Sequence, residues 1–252
     1  MIQHKTKILL FDIETTPLIG YTWGTWETNV VEVKEDWHML SYAYKWLGET
    51  KVTVKALPMY KGYSKNKDND LELCKDLWKL LDEADIVIGH NVDSFDIKKS
   101  NARFIIHGMK PTSPYKTVDT LKVARKYFKF TSNKLGELGK YLGLGNKLET
   151  GGFATWLGCM QGDMKMWLKM IRYNRQDVVL LEKVYLRLRD YMTNHPRSTD
   201  SPTSEVCANC GGTRLHKRGT MRNKVSTLQR LQCQDCGSWH SFKLTSAKQL
   251  DK

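Results

Sequence analysis

Four apolar residues at positions 8–11, ILLF, run straight into Asp12-Ile13-Glu14. This reads as a strand over residues 7–13. Residues i and i+2 of a strand point to one face, so Asp12 and Glu14 stand side by side at its end. Adjacent carboxylates repel, and both stay ionised only with a cation between them. An acidic strand end exposed to water is the ordinary alternative. The apolar run preceding the pair instead suits a central strand, and open α/β sheets gather ligands at their strand ends.

The residues that follow fill in such a sheet. Residues 39–47 and 51–57 are rich in aromatic and β-branched side chains and read as strands. Residues 68–84 read as a helix with Leu71, Leu77, Leu80 and Leu81 on one side. DIVIG at 85–89 is a short buried strand, 94–107 is helical, and a Pro-containing turn leads to a short segment at 117–120 and more helix. Residues 162–192 are strongly helical. Strands first, then strands alternating with helices, predict a mixed β-sheet flanked by helices.

Three further acids and a phenol lie in this frame. Asp96 follows the buried strand in HNVDSFD, near a helix start, where Asp93 is the more ordinary N-terminal acid. Tyr173 and Asp177 are four apart in YNRQD, so they share a helix face. A solvent-facing Asp beside a half-buried Tyr would look the same.

FDIET, HNVDSFD and YNRQD together resemble the three motifs of the DEDD exonucleases, a branch of the ribonuclease H-like superfamily. The family's pattern of Asp-x-Glu, an Asp after an aromatic, and Tyr-x-x-x-Asp falls on Asp12 and Glu14, on Asp96 after Phe95, and on Tyr173 and Asp177. The histidine variant of the family has His five residues before the last Asp; here that residue is Arg172, so the resemblance is to the tyrosine subtype. It covers about residues 7–190, including the stretch from VDTLKVARKYFKF to KLGELGKYLGL. It implies a ribonuclease H-like fold and two catalytic Mg²⁺ or Mn²⁺ ions, which prefer carboxylate oxygens. By resemblance, Asp12 bridges both ions, and Glu14 and Asp177 complete the site of the ion that activates water. Asp96 holds the second ion through water. Tyr173 orients the attacking water, since a phenol of ordinary pKa is a poor base at neutral pH.

Substrate contacts are expected from Asn91 and Phe95, from Trp23 in the loop after the first motif, with Trp26 beside it, and from Lys126 and Lys129. The lysines belong to a basic stretch that also holds Lys122, Arg125 and Lys134, interleaved with Tyr127, Phe128 and Phe130. Such a pattern suits a single strand, with phosphates on cations and bases on rings. An amphipathic helix with core aromatics reads the same way. Asn91 fits a turn cap equally well, and Trp23 a loop anchor. His90 is read as structural, and by resemblance Asp119 belongs to a structural segment.

The segment TNHPRSTDSPTSEV is polar and Pro-containing, an expected linker at 193–206 between an exonuclease domain at 1–192 and a module at 207–245. In that module Cys207-x-x-Cys210 and Cys233-x-x-Cys236 have the spacing of a tetrahedral, structural Zn²⁺ site. The stretches TRLHKRG, STLQRLQC and SWHSFKL read as its strands, so the module is expected to be a zinc ribbon.

Net charge is +13, from 40 Lys and Arg against 27 Asp and Glu, which favours a polyanionic partner. Residues 197–252 contribute ten basic and four acidic residues, a net of +6. The ribbon is thus expected to grip nucleic acid or, alternatively, a protein partner. No apolar stretch reaches the roughly 20 residues of a membrane span. No secretory signal is read at the N-terminus, so a cytoplasmic location is expected. The expected activity is 3′–5′ exonuclease action on DNA, with a single-stranded 3′ end as substrate; the polarity comes from the resemblance. An RNA exonuclease, a structure-selective endonuclease and a non-catalytic nucleic-acid-binding adaptor are the rival readings. A transposase would normally place its acids differently.

Overall fold

The computed structural model describes residues 6–26, 28–192, 195–196 and 206–244. Most of the expected linker at 193–206 lies outside them. The elements in chain order are β1 (Ile8–Thr15), β2 (Ile19–Tyr21), β3 (Glu32–Glu35), β4 (Met39–Trp46), β5 (Thr53–Ala56), α1 (Leu71–Glu83), β6 (Ile86–Gly89), α2 (Asp96–Ile106), β7 (Lys116–Asp119), α3 (Thr120–Tyr127), α4 (Leu135–Tyr141), α5 (Phe153–Gln161), α6 (Met164–Arg189), β8 (Leu215–Arg222), β9 (Thr227–Cys233) and β10 (Trp239–Lys243).

β1 is the middle strand of a five-stranded sheet ordered β5-β4-β1-β6-β7. It runs antiparallel to β4 and parallel to β6, and β6 runs parallel to β7. Its alternation buries both faces: Leu9, Phe11 and Ile13 enter one apolar cluster, Ile8 and Leu10 another. α1 and α2 add Leu73, Leu77, Leu81 and Phe104 to the first cluster. α6 adds Val178, Leu181, Val184 and Leu188 to the second. The mixed sheet between helices is the expected fold.

Two features of β1 prepare a site. β6 pairs only with Ile8, Leu9 and Leu10, whereas β4 stays paired beyond Glu14. β1 therefore projects past its parallel neighbour, and one edge of its last turn of chain is open. β6 ends at Gly89, where a Cβ would come within 2.6 Å of Val92. Asn91 then takes φ +70, a left-handed turn that Asn tolerates, and the chain swings back toward β1.

Several expectations shift. α1 buries Leu73, Cys74, Leu77 and Leu81; Leu71 and Leu80 sit at the edges of its buried face. Asp93 is not the N-terminal acid of α2: it pairs with Lys122 at 2.7 Å, and Asp96 is itself the acid of the first turn. The β2/β3 hairpin and α5 were not expected. Both are short, and the hairpin buries almost none of its apolar side chains. A clamp beneath the sheet holds the helices in place. Asp70, fully buried at the start of α1, accepts from Arg103 Nε (2.8 Å) and Nη2 (2.6 Å) and from the Met39 N–H (2.8 Å).

β8, β9 and β10 form a separate antiparallel sheet ordered β10-β9-β8. Among the described residues, no helix is long and apolar enough to cross a membrane.

Candidate active site and cysteine centre

Three elements meet at the end of β1. Asp12 and Glu14 come from β1 and Asp177 from α6. One carboxylate oxygen of each lies within 4.8 Å of the others. Asp96 reaches the same strand from α2: its Oδ1 accepts the Ile13 N–H at 3.1 Å. That N–H is the donor left without a β6 partner where the parallel pairing stops, so the open edge of β1 is what seats the fourth acid.

The four acids burden one another. Burial pushes Asp12 well up from the usual carboxylate range, and the charges of Asp96, Glu14 and Asp177 push it further. Burial and then Asp177 raise Glu14 to about 8. Burial raises Asp96 to about 7 against the opposing Ile13 N–H, and burial raises Asp177 against Lys147. Four acids held this way require positive charge to stay ionised together. Asp177 Oδ1 is buried with no hydrogen-bond partner among the described residues. Clustered anionic oxygens with one orphan suit hard divalent cations.

Two residues outside the expected set complete the cluster. Asn174, fully buried one helical turn before Asp177, donates from Nδ2 to Asp12 Oδ2 at 2.7 Å and to the Asp12 carbonyl at 3.2 Å. Its Oδ1 accepts from Ser41 Oγ at 3.1 Å, and Ser41 is the β4 partner of Glu14. One Asn thereby ties α6, β1 and β4 together and fixes one oxygen of Asp12. Lys147 sits on the loop after α4. Its Nζ donates to Asp177 Oδ2 at 2.5 Å and to the Tyr173 hydroxyl at 3.2 Å. Burial opposes its charge, but Asp177 and Tyr173 hold its pKa above the usual lysine value. The Tyr173 phenol is itself raised, first by burial and then by Asp177, and stays protonated. Trp156 of α5 packs edge-on to Tyr173 with centroids 6.1 Å apart. Asn174 could have been suspected from its place inside YNRQD. Nothing in the sequence marks Lys147, one of many lysines.

The remaining expected residues are dispersed. Asn91 forms the turn after β6; its N–H donates to Asp119 Oδ1 at 2.9 Å. Asp119 also caps α3, accepting from the Leu121 and Lys122 N–H groups, so its role in the fold is structural. Phe95 precedes Asp96, is partly exposed, and has Lys99 Nζ 5.8 Å from its ring centroid. Trp23 is 84% exposed and Trp26 96% exposed, both between β2 and β3. Lys126 lines a small cleft with Asp93, Lys122 and His195, away from the carboxylates, and Lys129 is exposed beyond α3. His90 is half-buried and pushed down to about 4, chiefly by desolvation, with its Nδ1 2.9 Å from Thr120 Oγ1. Beside the cluster lies a cleft of about 760 Å³, bordered by His90, Arg125, Asn133, Lys134, Lys140 and Lys147.

The four cysteines of the small sheet converge. Cys207 and Cys236 have Sγ atoms 3.7 Å apart, as do Cys210 and Cys233. A tetrahedral centre with Zn–S bonds of about 2.3 Å requires S···S edges of about 3.8 Å. The N–H groups of Asn209, Gly212 and Asp235 each point at a cysteine sulfur at 3.4 Å. These donors stabilise thiolates, so the set fits a zinc-like ion. A third grouping of metal-binding residue types, Asp70, Cys74 and His107, is closed by Arg103, which occupies both Asp70 oxygens.

No curated protein matches the chain. Among solved structures it is similar to the family B DNA polymerase of the hyperthermophilic archaeon Pyrobaculum calidifontis, with a TM-score of 0.54 and 15% identity. The match covers 73% of this chain and 24% of the polymerase, so the chain spans about a quarter of that protein. The RNase_H_2 family profile of the RNase_H superfamily matches residues 9–189, which contain all but the first residue of the five-stranded sheet and every carboxylate of the cluster. A sheet of this order, with acids at the end of its middle strand and on the helix that covers it, is thus that of a nuclease fold, and the chain belongs to the RNase_H superfamily.

Proposed function

We propose that the chain is a metal-dependent 3′–5′ exonuclease of the tyrosine DEDD type, acting on the single-stranded 3′ end of DNA. The observation that carries this reading is the convergence of Asp12, Glu14 and Asp177 within 4.8 Å, with Asp96 hydrogen-bonded to the same strand from α2 and Tyr173 joined to Asp177 through Lys147. Asp12, Glu14, Asp96 and Asp177 would hold two Mg²⁺ or Mn²⁺ ions. Such ions supply a nucleophilic water at neutral pH and balance charge on the attacking and leaving oxygens.

The protein groups have separate tasks. Asn174 holds one oxygen of Asp12 and leaves the other for a cation. Tyr173, protonated and hydrogen-bonded by Lys147, offers its hydroxyl to orient the attacking water rather than to remove its proton. Lys147 brings a fixed positive charge to the rim of the site, where the scissile phosphate would lie. The cleft with Arg125, Lys134 and Lys140 offers further cations to the preceding phosphates. Asn91 and Phe95 flank Asp96 on the turn that enters the site, and they are the proposed contacts to the terminal nucleotide. The four cysteines are proposed to hold one structural Zn²⁺ in a ribbon at 207–245, distinct from a nuclease domain at 1–192, that assists substrate or partner binding.

The test is a gel assay with Mg²⁺ or Mn²⁺ on end-labelled single- and double-stranded DNA and RNA, with Asp12→Ala alongside. The expected result is a metal-dependent ladder shortening from the 3′ end of DNA, abolished in Asp12→Ala. Shortening of RNA alone would transfer the activity to RNA. Internal cuts would make the chain an endonuclease. Retained activity in Asp12→Ala would refute the site.

A further inference from the structure

Phe128, Phe130 and Tyr141 form a column of rings on the surface below the cleft. Phe128 and Phe130 stack at 5.2 Å with planes 25° apart, and Phe130 and Tyr141 stack at 6.0 Å with planes 11° apart. Tyr191 closes the other end edge-on against Phe128 at 4.9 Å. Phe128 and Phe130 lean on the apolar cluster under α6, which fixes the column. Tyr141 is its free end. One face of that ring lies on Phe130, yet the residue is 48% exposed, so the outer face is open. An ordinary core extension would bury its last ring. This column instead ends in a flat, rigid, solvent-facing platform of the kind on which a nucleobase stacks.

The surroundings favour a polyanion over an apolar protein segment. Residues 121–141 hold six basic side chains and one acid. Lys134, Lys140 and Lys147 border the same cleft, and Tyr141 directly follows Lys140. The loop after α4 tracks α6 back to the site: Lys183 Nζ meets the Leu144 carbonyl, Gln176 the Asn146 carbonyl, and Lys147 reaches Asp177.

We propose that Tyr141, at the end of the Phe128–Phe130 column, is a distal subsite for single-stranded nucleic acid, stacking a base upstream of the reacting end while Lys134 and Lys140 carry intervening phosphates. This rests on the exonuclease reading and adds to it a grip on substrate length that the carboxylates do not provide.

The experiment measures binding of fluorescein-labelled single-stranded DNA of three and ten nucleotides to the full chain, by anisotropy in Ca²⁺ with Asp12→Ala as background to prevent degradation. The ten-mer is expected to bind more tightly than the three-mer. Tyr141→Ala should weaken the ten-mer about tenfold, a typical loss for one base–aromatic stack, and remove most of the length advantage. Tyr141→Phe should retain it. A 2-aminopurine stepped through the positions upstream of the 3′ end should be quenched at one of them by the parent and by Tyr141→Phe, and not by Tyr141→Ala. Unchanged ten-mer affinity in a Tyr141→Ala protein with parental circular dichroism, or an equal loss on both lengths, would overturn the subsite. If wild type degrades DNA while Tyr141→Ala binds normally, only the subsite fails. If wild type neither binds nor degrades any single strand, the exonuclease reading fails and takes the subsite with it.

Discussion

Asn174 is the residue whose removal separates placement of the acids from their charge. It carries no charge and touches no expected substrate position, yet both its amide groups are spent inside the cluster. Asn174→Ala leaves Ser41 and one oxygen of Asp12 without their partner. Residues that hold metal ligands in place typically contribute 10- to 100-fold to metal affinity or activity. The expected outcome is a fall of that size in activity at limiting Mn²⁺, partly recovered at high Mn²⁺, read from a metal titration of the exonuclease rate. A rate independent of this substitution would mean that Asp12 is positioned by β1 alone. Asp12, Glu14, Asp96 and Asp177 were each visible in the sequence because their motifs are local strings. Asn174 lies inside YNRQD, but neither its contact 162 residues away nor that of Lys147 30 residues away is written in a local string.

Among the elements, β1 was the most legible, since an apolar run with paired acids at its end suits a covered central strand. The structure extends it to Thr15, two residues past the expected end, because β4 continues to pair there. α5 escaped notice for a physical reason: FATWLGCMQ is apolar nearly throughout and lacks the polar stripe that marks a surface helix. The β2/β3 hairpin escaped for the opposite reason, as its apolar residues stay exposed and no alternation is enforced. The junction of α1, α2 and β4 has its own consequence. Burial alone would raise Asp70, but the Arg103 guanidinium, the Met39 N–H and His107 hold it below the usual carboxylate value. A lowered folded-state pKa stabilises the fold above the unfolded value near 4, and that contribution is lost as pH falls through the lower folded value. Asp70→Asn should cost about 3–5 kcal/mol at neutral pH by leaving Arg103 buried and unpaired. Its deficit against wild type should shrink as pH falls below about 4. Urea melts from pH 3 to pH 7 check both; a deficit constant with pH would mean that Asp70 contributes shape rather than charge.

For the molecule as a whole, the two proposed metal sites are built on separate sheets and should fail separately. Cys207→Ser with Cys210→Ser should release one Zn²⁺ per chain, measured by mass spectrometry of bound metal. The double variant should unfold the small sheet, keep the melting of the five-stranded sheet, and weaken DNA binding more than turnover. Unchanged DNA affinity would make the ribbon a protein-docking module or a cap. The sequence alone determined the fold class and marked the four acids and the four cysteines as candidates. Each of these is written in strand periodicity or in spacings of two to four residues, where backbone geometry dictates which side chains share a face. The tertiary structure alone decided what surrounds them: the open edge of β1 that receives Asp96, the Asn174 bridge, the lysine set against Asp177, and the ring column ending in Tyr141. Those arise from packing α6 and the α4 loop across the sheet, a long-range balance of burial and charge that no local string of residues encodes.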